Sequence, residues 1–303
     1  MDRRDLYGYR DQRPQAQWPS GASVALNFVV NVEEGAELSL ADGDASNEPM
    51  HEVTSKVTTE PDLCRESHFE FGLRTAYWRV MREFDEAGLS CTLNVCGRVA
   101  ERTPDVLIDA VARGHDVCAH GWLWQSPAGM NRAQERAMML KTLDAIEHAS
   151  GVRPTGWHCK STPTVNTREL ACELGLLYDS DAYNDELPYW APISQGQTLV
   201  LPYQFDTNDM RFFGESPAFV QGRDFSRRDF SNYVIETLKR LLYEGDKWQS
   251  QSMLTVGLHL RIIGRPGRVQ ALHDILEFVR SDARIWATTR TAIAQHWLSH
   301  HPA

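Results

Sequence analysis

The sequence predicts a closed, parallel (β/α) barrel. Short apolar strands alternate with amphipathic helices along the whole chain, the pattern of an α/β fold built on a parallel sheet. The strands number about seven or eight, which suits a barrel better than a doubly wound sheet. No GxGxxG follows the first strand, so a dinucleotide-binding sheet has no motif behind it.

The elements follow in order. VALNFVVNV (24–32) is β-branched and almost continuously apolar, as a strand buried on both faces should be. A polar stretch from Glu33 to Leu63 follows. It is too long for a bare connection and reads as functional or as a packing arm. FGLRTAYWRVMREFDEAG (71–88) has helical spacing and ends in Gly. LSCTLNVCG (89–97) is a strand. TPDVLIDAVARG (103–114) is a helix with Thr103 as N-cap, Pro104 in its first turn and Gly114 at its end. HDVCAHG is a third strand, and NRAQERAMMLKTLDAIEHASG (131–151) is a long helix. PTGWHC is a strand, and NTRELACELG (166–175) is a helix between Asn166 and Gly175. LLYDSDAY, QTLVLPYQF, SMLTVGLHL and ARIWATT read as the later strands. FSRRDFSNYVIETLKRLLYEG and GRPGRVQALHDILEFVRSD are the helices between them. Repeats, low-complexity runs and linkers are lacking, so one domain is expected over 1–303, with an N-terminal arm (1–22) and the long loop 33–63.

Composition narrows the function. A net charge of −10 and a pI near 5.6 argue against nucleic-acid or anionic-membrane partners. No apolar run is long enough to span a bilayer, and the charged start has no secretory segment, so a cytoplasmic protein is expected. The six cysteines form no CxxC pair. Free thiols are expected, with Cys91, Cys96 and Cys118 filling the core.

In a parallel barrel, reactive groups sit where strands end. That rule selects Glu33 and Glu34, then His120, the Trp157-His158-Cys159-Lys160 run, Asp181, Asn184 and Asp185, and finally His259. Carboxylates, imidazoles and a lysine at one mouth suit hydrolysis: a carboxylate takes a proton from water and an imidazole returns one to a leaving nitrogen. Each has a bland alternative: a solvated loop start for Glu33–Glu34, a core histidine for His120 or His259, a loop brace for Asp181, a surface charge for Lys160. Neither GxSxG nor HExxH is present, which removes serine-hydrolase and zincin readings.

These residues carry a resemblance. RDLYGYRDQRPQAQWP, VALNFVVNVEEGAE, ESHFEFGLRTAYWR, AHGWLW, Gly156-Trp157, YDSDAYNDELPYW and LHLRIIGRPGR resemble the polysaccharide deacetylase (NodB-homology) superfamily. The match is nearer to its allantoinase-type branch, the urate catabolism proteins, which open a cyclic ureide without a metal. The resemblance implies a distorted (β/α) barrel of about seven strands and a homo-oligomer such as a tetramer. The metal-dependent members carry two aspartates after the first strand, and here Asn31 and Glu33 fall about there. Those members also carry two histidines four apart; here His120 matches the first and Trp124 stands at the second. His259 matches the superfamily's last histidine, the expected acid.

Trp has an N–H and no lone pair for a metal, so no metal or other cofactor is expected. The catalytic set implied is Glu33 or Glu34 as base, His259 as acid and His120 as a donor, with Asn31, Trp124, Trp157, Lys160, Asp181 and Asn184 on the substrate. One departure concerns the substrate. Allantoinase-type chains follow Gly-Trp with a Tyr-Thr-Gly-Arg-like string, whereas this chain has His158-Cys159-Lys160-Ser161. Lysine does not replace a forked arginine. The expectation is therefore an amidohydrolase for a cyclic amide or ureide, with allantoin first among its substrates. The alternatives are a metal-dependent N-deacetylase acting on amino sugars or peptidoglycan, and a non-catalytic binding barrel.

Overall fold

A computed structural model describes residues 4–10, 12–49, 55–213 and 227–303. Among these residues, nine strands form one curled sheet: β1 Val24–Val32, β2 Thr92–Val95, β3 Asp116–Ala119, β4 Gly156–Trp157, β5 Tyr178–Asp179, β6 Tyr189–Ile193, β7 Gly196–Val200, β8 Ser252–His259 and β9 Ile285–Ala287. Their order is β6-β7-β5-β4-β3-β2-β1-β8, and β9 pairs with β1 over Val24–Leu26, clear of the residues that β2 takes. This is the distorted (β/α) barrel of the resemblance. Among the described residues, no ladder joins β7 to β8. Residues 201–208 cross that gap instead: the Tyr203 amide donates to the Ala182 carbonyl (2.8 Å) and the Gly257 amide to the Thr207 carbonyl (3.1 Å).

β1 is buried along its whole length, which explains its unbroken apolar pattern. It pairs with β8 from Val24 to Asn31 and with β2 from Val29 to Val32. The register sets Asn31 beside Asn94 on one side and His259 on the other. All strands but β6 run parallel, so their carboxyl ends meet at one mouth.

Three elements differ from the sequence expectation. β6 and β7 form an antiparallel hairpin where one parallel strand was expected. Pro188 and Pro192 hide β6, yet an edge strand tolerates proline because one side of its backbone needs no partner. The helix expected from Phe71 starts at Leu63, where the Asp62 side chain caps the Arg65 amide (3.1 Å), and it passes through a π-turn at Gly72–Ala76. Thr103 stands at the N-cap position, but its hydroxyl donates back to the Val99 carbonyl (3.0 Å), because an unforeseen short helix, Gly97–Arg102, precedes it.

The start of the long stretch after β1, residues 35–44, is held onto the barrel rim by arginines. Arg98 donates to the Gly35 carbonyl (2.9 Å) and the Asp44 carboxylate (2.8 Å), and Arg102 pairs with Asp42 (2.6 Å). In the N-terminal arm, Trp18 donates to the Ser252 carbonyl (3.0 Å) and packs with Trp286, His296 and Trp297. Cys91, Cys96 and Cys118 are buried free thiols, as expected. Among the described residues, no helix is long and apolar enough to cross a membrane.

Candidate active site

A cavity of about 640 Å³ opens at the carboxyl ends of the strands. That size accommodates a small molecule. Glu33, His120 and His259 meet in its floor. Glu33 Oε1 lies 3.5 Å from His120 Nε2 and 3.6 Å from His259 Nε2, and its Oε2 accepts from Arg261 Nη1 at 2.8 Å. Each arrives from a different strand end or the turn beyond it, so the parallel register creates the cluster.

The charges follow from this geometry. Burial alone would raise the Glu33 carboxyl. The opposing charges of His259 and Arg261, with a hydrogen bond from His120, win and hold it well below the usual carboxylate range. Burial would likewise lower His259, but Glu33 and Asp209 outweigh it and raise its affinity for a proton. Asp209 accepts from His259 twice, from Nδ1 at 2.7 Å and from the backbone amide at 2.8 Å. A carboxylate only accepts, so His259 Nδ1 carries a hydrogen and Nε2 faces Glu33. His120 Nδ1 donates to the His158 carbonyl, which turns its Nε2 to Glu33 as well.

Glu34 belongs elsewhere. It is buried and does not line the cavity. Its carboxyl accepts from the Glu33 amide (3.1 Å) and the Arg261 amide (3.2 Å). It occupies the space left by Gly72, where a Cβ would overlap it. The π-turn and Glu34 therefore fit together. Burial, against the pull of Arg261 and with the push of Glu33, raises this carboxyl to about 7.

The expected substrate-binding residues divide. Asn31, Trp124 and Lys160 line the cavity. Trp124 has Lys160 Nζ 3.4 Å and the Arg261 guanidinium 4.7 Å from its ring centroid, two cation–π contacts that fix the indole. Lys160 Nζ also pairs with Glu48 (3.0 Å) from the long loop and donates to the Trp124 carbonyl (3.2 Å). Trp157, Asp181 and Asn184 do not line the cavity. Trp157 is wholly buried in the core, because side chains alternate along a strand and its neighbour His158 takes the inward face. Asp181 braces the loop after β4 by accepting from the Cys159 amide (3.0 Å). Asn184 is exposed, beyond the end of a strand shorter than expected, and accepts from the Tyr189 hydroxyl (3.1 Å).

The residues assigned a role from sequence omit Asp209, Arg261 and Asn94, and also His158, which stood among the strand-end candidates without a role of its own. Arg261 is fully buried inside the apolar run LHLRII, and a charge in such a run is a signal of a buried partner. Asn94 interrupts the apolar TLNV strand in the same way. His158 had its strand-end position to recommend it. Asp209 opens a short helix, Asp209–Phe213, 50 residues before His259, and carried no local signal.

A zinc centre of the kind the resemblance raises needs three lone-pair ligands around an open position. Trp124 offers none, and the cations Arg261 and Lys160 flank the place where a second imidazole would stand. Among the described residues, no group of three or more His, Cys, Asp or Glu side chains is arranged to hold a metal ion. The residues present do not fit such a centre.

Comparison with known proteins agrees with this geometry at the level of family. The polysaccharide deacetylase family profile matches residues 61–178. A Schizosaccharomyces pombe protein, provisionally named a polysaccharide deacetylase, is 32% identical over 94% of this chain and 93% of its own length. The crystal structure of PuuE allantoinase is 38% identical with a TM-score of 0.90, covering 99% of this chain and 98% of that one. That of a probable polysaccharide deacetylase from Pseudomonas aeruginosa PAO1 is 37% identical with a TM-score of 0.91, covering 99% of each. The chain belongs to the polysaccharide deacetylase family. It is a hydrolase of the superfamily that unites the deacetylases with the allantoinase.

Proposed function

We propose that this hydrolase opens the C–N bond of a small cyclic amide or ureide, allantoin being the first candidate, without a metal. The observation that carries the reading is Trp124. An indole in cation–π contact with both Lys160 and Arg261 stands where a metal site would need its second imidazole. The identity shared with PuuE allantoinase over nearly the whole chain supports the substrate class.

The chemistry follows from the two charged partners. Glu33, held ionised, orients the attacking water through Oε1 and takes its proton as the oxygen adds to the carbonyl carbon. His259, held protonated by Glu33 and Asp209, gives its Nε2 proton to the leaving nitrogen as the C–N bond breaks. Glu33 in its resting state is a weak base because His259 is charged beside it. As His259 gives up its proton that attraction ends, so the proton affinity of Glu33 rises while water is being deprotonated. The two transfers assist each other, and Glu33 later returns its proton to His259. Arg261 holds the carboxylate in place throughout.

A second reading, an N-deacetylase acting on glycans, is favoured by the names of the Pseudomonas and yeast relatives. Incubation with allantoin, hydantoin and related cyclic imides, alongside N-acetylglucosamine oligomers, separates the two. Ring opening without acetate release is the expected result. Acetate release without ring opening would establish the second reading.

A further inference from the structure

Resting on the reading above, we propose that His158 donates a hydrogen bond from Nε2 to the carbonyl oxygen of the substrate, the task a metal ion would otherwise perform. The side-chain chain that sets its hydrogen starts at a group that can only accept. The Leu258 carbonyl takes a hydrogen from Asn31 Nδ2 (3.1 Å), so Asn31 Oδ1 faces Asn94. Asn94 Nδ2 donates to that oxygen (3.0 Å) and, with its second hydrogen, to His158 Nδ1 (3.0 Å). A ring nitrogen that accepts carries no hydrogen, so the hydrogen of His158 is on Nε2. Three neighbouring strands, β8, β1 and β2, thus select one tautomer of a residue on the fourth strand's end.

Nε2 has only distant acceptors among the described residues, the Tyr183 hydroxyl at 3.5 Å and Asp181 Oδ1 at 3.9 Å. A buried N–H without a close acceptor is costly unless a ligand supplies one. His158 lines the cavity, and its ring centroid lies 5.4 Å from that of His120, within reach of an atom bound beside Glu33. The ring is immobilised by stacking on Tyr203 (4.5 Å, 28°). Tyr203 can approach because β8 has Gly257, where a Cβ would overlap the phenol oxygen. Burial, aided by His120 and Arg290 and opposed by Glu33, keeps the imidazole well below its usual range. His158 is thereby a fixed neutral donor and not a second acid, a preorganised dipole aimed at developing charge.

The test has two arms. In the first, ring nitrogens are read by ¹⁵N NMR on the full-length, histidine-labelled protein, with H158F identifying the signal. The Nε2–H tautomer, with no imidazolium between pH 6 and 8, is expected. The Nδ1–H tautomer, or an imidazolium in that range, overturns the proposal. In the second, H158F keeps the stacked ring but lacks the donor, and H158Q restores an N–H near Nε2. For H158F, kcat/KM should fall about 100-fold with the shape of its pH profile unchanged, and H158Q should recover most of the loss. Parent-like kcat/KM in H158F overturns the donor role. If the parent deacetylates a glycan and opens no ureide, the functional reading fails, and the same two variants decide the role of His158 on that glycan.

Discussion

Asp209 grips His259 at two points, the ring Nδ1 at 2.7 Å and the backbone amide at 2.8 Å. The grip fixes which nitrogen faces Glu33 and helps to raise the proton affinity of the ring. D209N leaves a neutral partner that no longer supports the imidazolium. Its kcat should fall by about 10²–10⁴. The alkaline limb of its pH–rate profile should move to lower pH, because His259 loses its proton sooner. Steady-state kinetics across pH, with circular dichroism to verify the fold, checks both.

Glu33 and Glu34 are adjacent in sequence and opposite in charge preference. E33Q removes the base and the anchor of Arg261, and its kcat should fall at least 10³-fold at unchanged fold.

Glu34 is raised from 4.5 to about 7, so the folded state holds its proton more tightly than the unfolded state does. Its stabilising contribution is complete below about pH 4.5 and is lost as pH rises through about 7. The loss is on the order of a few kcal/mol. E34Q serves as a reference that does not titrate. The melting temperature of the parent minus that of E34Q should be largest near pH 5 and shrink by several degrees by pH 8, as calorimetry would register. A difference constant across that range would refute the assignment.

Restoring an imidazole in place of this indole should not restore a metal enzyme. In W124H, Arg261 still holds Glu33 and Lys160 still lies beside the new ring. The variant is expected to purify without stoichiometric zinc, to gain no activity on zinc addition and to turn over more slowly than the parent. Elemental analysis and kinetics with added zinc decide the point.

The sequence made the fold and the floor of the site legible for one reason: apolar strands end abruptly at Glu33, His120 and His259, and a parallel sheet brings such ends together. What it hid depends on distance and on alternation. Asp209 reaches His259 only because residues 201–208 cross the open side of the barrel to pair with β8, a contact no local pattern encodes. Trp157 and His158 are neighbours facing opposite ways, and the side each would take depends on a register that two strand residues do not reveal. Asn184 was placed near the mouth by extending β5 through Tyr183, whereas the strand ends at Asp179 and the chain turns into the β6–β7 hairpin.

In the proposed mechanism an indole held by two cations stands in place of a metal ligand, and Glu33 and His259 carry the proton transfers without a metal. The most direct measurement is kcat for ring opening of a cyclic ureide after exhaustive dialysis against a chelator, then after adding back zinc. Unchanged kcat at less than stoichiometric metal is expected. Loss of turnover on dialysis, with recovery on zinc addition, would contradict it.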